Sequence, residues 1–256
     1  MLGDIFGHVF SICDWRLFKG MVFDPRAKMP KDPELEKQKA LLFGKHVSKE
    51  KAIVLLIVTS IACALPLLTG LRLWDSIPEM ISSGRTLPNG KEDAIPRWAL
   101  VYAMPGFFLL LNLITHIQLA YHQKKMIVPP SHIRLMGRWG FSVLSVLFCS
   151  GMVFKSVGQD MFQSTVVIPA AMGLLLAIAG SHMFDCQFNS KISLGFLADL
   201  KDEQSWKKVH RFAGYCWMAA GIVIIAMAMA ADGMLPVCAG VFAAALIAQA
   251  IYSRMA

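Results

Sequence analysis

The sequence predicts an all-α integral membrane protein with six transmembrane helices, both termini cytoplasmic, and an interfacial helix ahead of the first span. Three observations carry this. The chain is 56% apolar and only 16% charged, with mean hydropathy +0.54, whereas a soluble domain carries about 25% charged residues. Several runs approach the ~20 apolar residues a helix needs to cross the hydrocarbon, and alternating ten-residue segments of the barrel type are absent. Lys and Arg fall mostly on one set of loops, as expected of cytoplasmic segments.

The first segment, 1–51, holds ten Lys and Arg. No Lys or Arg precedes Arg16 and Asp4 interrupts the apolar residues, so a signal peptide is not expected. Ile5, Phe6, Val9, Phe10 and Cys13 share one helical face, and Trp15 and Phe18 suit the headgroup level, which predicts a helix lying in the interface. A Pro-punctuated linker and a short charged helix, from about Pro33 to Phe43, lead to the first span.

The spans are Ala52 to Leu71, Trp98 to Tyr121, Trp139 to Ser156, Thr165 to Asp185, Phe212 to Ala231 and Leu235 to Arg254. The first two, with their loop, form a unit over 52–121, and the last four a unit over 139–254 whose loop 186–211 is cytoplasmic. The turn Asp232 to Met234 makes the last two spans antiparallel neighbours. The N-terminal segment, the loops 122–138 and 186–211 and the C-terminus hold twenty Lys and Arg; the other side holds five, Arg72, Arg85, Lys91, Arg97 and Lys155. That bias places both termini in the cytoplasm of an inner membrane. The net charge of +8 follows from topology, and a nucleic-acid partner is not expected.

Polar residues inside spans are costly and default to functional hypotheses. Asn112, Thr115 and His116 share one face of the second span; His182 and Asp185 sit near the same depth in the fourth, and His210 opens the fifth. Three chemistries fit such a cluster: hydrogen bonds between helices, a proton or substrate path, and a haem or metal site. The last lacks matched depths in the core, a carboxylate cluster and H-x-x-E-H or C-x-x-C-H spacing, so no cofactor or metal is expected. Ala239, Gly240, Ala243 and Ala244 have the spacing that lets helices pack closely. No Walker loop, G-x-S-x-G elbow or C-x-x-C pair occurs among the motifs, and the six cysteines, Cys13, Cys63, Cys149, Cys186, Cys216 and Cys238, are read as small apolar residues. Catalytic residues are therefore not expected.

The loop Arg72 to Arg97 balances four basic against four acidic residues and carries Pro78, Pro88, Pro96 and an Asn89-Gly90 turn, which predicts a defined shape. Ile77, Pro78, Ile81, Gly90 and Asp93, followed by Trp98 and Pro105, resemble the small domain of unknown function that opens SdpI-like proteins. The stretch LGFLADLKDEQSWKKVHRFAG, Leu194 to Gly214, resembles the family signature W-x-x-x-H-R-x-x-G, here Trp206, His210, Arg211 and Gly214 with Lys207 and Lys208 between. Two family motifs are changed: G-I-R-x-P-W reads Ser193 to Ala198, and P-x-H reads Ile81-Ser82-Ser83. The founding member confers immunity to a membrane-active peptide toxin and sequesters a repressor at the membrane.

The resemblance therefore implies a non-catalytic role in toxin immunity or sensing, with the bilayer, a peptide toxin outside and a cytoplasmic repressor or other protein as partners. Ile77, Pro78, Ile81, Gly90 and Asp93 would take part in recognition, and Trp206 would sit at the headgroup level. The alternative is a small proton-coupled transporter using the His and Asp face; a haem-binding cytochrome is the third reading.

Overall fold

The computed structural model describes residues 49–86, 90, 92–124, 131–159, 165–184, 186 and 202–255. By its contacts the chain divides into Met1–Lys45 and His46–Ala256, and the described residues belong to the second unit. The expected interfacial helix and linker, Asp185, and most of the loop 186–211 lie outside them.

Eight α-helices form the described fold. They are α1 (Lys49–Ala64), α2 (Pro66–Arg72), α3 (Met104–Lys124), α4 (Ser131–Leu144), α5 (Ser150–Ser156), α6 (Val167–Met183), α7 (Glu203–Ala230) and α8 (Leu235–Met255). π-helical turns, Ala99–Ala103 and Ser145–Cys149, lead into α3 and join α4 to α5. Five stretches are long and apolar enough to cross a membrane: Glu50–Arg72, Ala99–Tyr121, Arg134–Ser156, Glu203–Ala230 and Leu235–Met255. The expected fourth span appears as α6, a shorter apolar helix of 17 residues.

One expectation is corrected and another extended. The chain is not wholly α: Met80–Thr86 and Glu92–Pro96 pair as antiparallel strands β1 and β2, with Met80 opposite Pro96 and Ile81 opposite Ile95. The register shifts between Ser82 and Thr86, and Gly90 adopts φ 78°, a conformation that suits glycine. The helix that carries the fifth span begins more than two turns before Phe212, because Asp202 caps α7. Its carboxylate accepts hydrogen bonds from the backbone N–H of Gln204 at 3.1 Å and of Ser205 at 3.0 Å.

α6 and α7 make the closest pairing. A Cβ added at Gly173 would meet the Gly221 carbonyl oxygen at 2.7 Å, and one added at Gly180 would meet that of Gly214 at 2.9 Å. These antiparallel helices approach at two points seven residues apart because both sides lack a side chain. Val146, Phe154, Val166, Ala170, Leu174, Ile225 and Met229 fill the core beside them. The small residues of α8 do something else: Ala239, Gly240, Ala243 and Ala244 are exposed, and nothing lies within 4 Å of a Cβ added at Gly240.

Candidate functional site

The inward face of the first turns of α7 is Trp206, Val209, His210, Ala213 and Gly214, all buried, at the i, i+3, i+4, i+7, i+8 spacing of one helical face. Lys207, Lys208 and Arg211 are exposed. Trp206 is 4% exposed, so it packs into the protein and is not a headgroup anchor. Its ring stacks on that of His210 with centroids 4.4 Å apart. His210 Nδ1 lies 2.9 Å from the Trp206 carbonyl oxygen, and since a carbonyl only accepts, Nδ1 carries the proton.

Arg211 reaches the start of α1, where its guanidinium pairs with the Glu50 carboxylate. The Tyr215 hydroxyl donates to the same carboxylate. One helical turn of α7 thus holds the first span through two groups. Beside them the Phe184 ring meets the edge of Tyr215, centroids 5.0 Å apart at 82°, and Lys51 lies over Phe184 at 5.9 Å. A Cβ on Gly214 would stand 2.6 Å from Phe184 Cε2 and 2.9 Å from the Gly180 carbonyl oxygen, so the signature glycine is required by this packing. Lys207 pairs within its own helix with Glu203, at 2.6 Å. Short-range hydrogen bonds from Ser205 and Gln204 hold the Asp202 carboxyl below its usual pKa.

Polar residues of the second span reach the first. Asn112 Nδ2 donates to Thr59 Oγ1 at 3.0 Å and to Ser60 Oγ at 3.3 Å, and His116 Nε2 lies 3.2 Å from Thr59 Oγ1. Thr59 Oγ1 also lies 2.8 Å from the Leu55 carbonyl oxygen, so its single proton serves either that carbonyl or the His116 ring. Thr115 turns back to the Leu111 carbonyl at 2.9 Å, and His182 is exposed. Asn112 and His116 therefore meet on α1, while the contacts of His210 described above are to Trp206 of its own helix. Among the described residues no three His, Cys, Asp or Glu side chains are grouped to hold a metal ion.

The β-hairpin is seated by Ile77, 2% exposed, in a cluster with Leu100, Val101 and Val153 against which Ile81 and Trp74 pack. The Arg97 guanidinium lies over the Trp74 ring at 4.7 Å, and Arg97 N–H donates to the Glu79 carbonyl at 3.0 Å. Pro78 is exposed and Asp93 half-buried. Arg72, at the base of this loop, pairs at 3.2 Å with Asp232 in the turn between α7 and α8.

Sequence reasoning missed Thr59, Glu50, Phe184 and Tyr215, because each acts through a partner far along the chain. It also missed the glycine pairs, whose signal was a seven-residue spacing on both helices. Apolar helices of membrane-crossing length define a helical membrane protein. Within it, residues 198–253, comprising α7 and nearly all of α8, match the model of the SdpI/YfhL protein family, so the resemblance read from the signature holds over that stretch. No curated protein and no solved structure matches the chain.

Proposed function

We infer that the protein is a non-catalytic inner-membrane protein of toxin immunity or sensing. The observation that carries this reading is the family match over 198–253, whose signature residues Arg211 and Gly214 join the fifth span to the first and to α6 respectively. A membrane-active peptide would meet the protein from outside at the seated β-hairpin, and a cytoplasmic repressor or other protein would read the end where Glu50, Arg211 and Lys208 are exposed.

This reading takes six spans with both termini in the cytoplasm. The Arg72–Asp232 pair supports it: residues after the first and fifth spans share one end only when an even number of crossings lies between them, which counts α6 as a crossing. Its 17 residues reach about 26 Å, close to the ~30 Å of hydrocarbon.

The test challenges cells with a membrane-active peptide toxin. Replacing Ile81 to Lys91 with a Gly-Ser linker, while retaining insertion and expression, is expected to abolish protection. Full protection by that variant would sink the recognition role. A proton-coupled permease would instead show substrate-dependent proton uptake in liposomes.

A further inference from the structure

The helices of the first three spans share two properties, the first absent from the other spans and the second less frequent there, where Gln249 Nε2 is such an atom. The first is an interrupted backbone. Pro66 has no N–H to give the Ala62 carbonyl, which keeps only a 3.3 Å contact from Leu65 N. π turns precede α3 and separate α4 from α5, whereas α6, α7 and α8 are each continuous. Irregular backbone at membrane depth is tolerated where it is buried in protein or lines water, and π turns recur at functional sites.

The second property is a set of buried polar atoms without partners among the described residues: Thr69 Oγ1, Arg72 Nη1, Asn112 Oδ1, Ser142 Oγ and Ser150 Oγ. Thr69, Asn112, Ser142 and Ser150 are 0% exposed. Turning the Asn112 amide over does not help, since Nδ2 would then take the unpaired place. Ser142 stands beside the Cys63 thiol, but its hydroxyl makes no bond of ordinary geometry. α1, α3 and α4 pack on one another and α2 on α5, so these atoms follow the interior from the hairpin end toward His116. Unsatisfied hydroxyl and amide groups in hydrocarbon are costly, and buried water is the usual partner of such groups.

We propose that a file of water molecules occupies the interface of the first three spans, from Arg72 and Thr69 past Ser150 and Ser142 to Asn112 and His116. Water donates to Asn112 Oδ1, accepts from Arg72 Nη1, and does both at the three hydroxyls. The file gives the first half of the protein a polar interior, while the glycine-paired contact of α6 with α7 stays dry. It is independent of what the hairpin recognises.

The test is hydrogen–deuterium exchange of the full chain in nanodiscs. Amides in 59–72, 99–112 and 142–150 are expected to exchange at least tenfold faster than those in 213–229 and 238–250; equal protection would overturn the file. The double variant Asn112→Leu, Ser142→Ala closes the path and is expected to slow exchange across 142–150. Unchanged fast exchange in the folded variant would trace it to backbone irregularity alone and also overturn the proposal. Radiolytic labelling of the unaltered protein gives a reading free of any folding defect, because hydroxyl radicals form from water in place. Cys63 and Cys149 are expected to be oxidised more than Cys238, which faces an apolar groove with Phe242 and Met172, and the reverse order would count against the file.

Discussion

Two glycines with the same residue type have opposite meanings. Gly214 is wedged between the Phe184 ring and the Gly180 carbonyl, and the carbonyl belongs to a helix backbone that cannot yield cheaply. Gly214→Ala is expected to destabilise the protein by about 1–3 kcal/mol, the cost of overpacking a tight contact, and to lower its melting temperature in detergent. Gly240→Ala meets nothing and removes a poor helix former, so its melting temperature is expected to hold or rise. A Gly214→Ala protein that melts with the wild type would show that α6 and α7 are not held at this distance. Ile77 tests the hairpin in the same way: it is buried in the cluster under β1, and Ile77→Ala is expected to cost about 2–5 kcal/mol, measured as lost protection of the 80–96 amides.

At the scale of elements, the start of α7 shows what hydropathy reads and what it does not. The apolar run from Phe212 marks hydrocarbon, but the helix continues beyond it through Glu203, carrying Lys207, Lys208 and Arg211 on its wet face. The signal for the true start was Asp202 followed by Glu203, an N-cap and an acidic first turn. The hairpin was legible as an ordered, proline-bearing loop but not as strands. Among the described β1 side chains Ile81 packs into the cluster beneath, and MISSGRT has no two-residue apolar alternation to reveal the strand. The partners of Asn112 and His116 were out of reach, since Thr59 comes from another span and nothing local marks it.

The Asp202 cap has a pH dependence of definite sign. Its folded pKa is depressed below the usual 3.8 by donors on Ser205 and Gln204, so its stabilisation of the helix start is present above that value and is lost as pH falls through the folded pKa. Protection of the Gln204 and Ser205 amides, corrected for intrinsic exchange, is expected to decline below about pH 4. Asp202→Asn retains an acceptor and is expected to remove that decline. A decline that persists in Asp202→Asn would assign the titration to another group.

The described unit has two unlike ends, and the distribution of charge predicts which faces the cytoplasm. One end carries the hairpin, Arg72 and Asp232; the other carries Glu50, Arg211, Lys207 and Lys208. Twenty of the twenty-five Lys and Arg belong to the N-terminal segment, the loops 122–138 and 186–211 and the C-terminus, and translocating such segments is disfavoured. A cysteine placed at Ser131, with the native cysteines replaced, is therefore expected to resist an impermeant maleimide in intact cells and to react after permeabilisation. A cysteine at Glu79, exposed at the base of the hairpin, is expected to react in intact cells. The pair of sites tests α6 as well as orientation: if the 17-residue helix lay along the surface, the end of α7 that holds Asp232 would fall on the side opposite Arg72. A third cysteine, at Gly233, then separates the cases. Labelling at Glu79 and Gly233 together with protection at Ser131 fits six crossings, whereas opposite labelling of Glu79 and Gly233 would break the Arg72–Asp232 contact and the six-span reading with it.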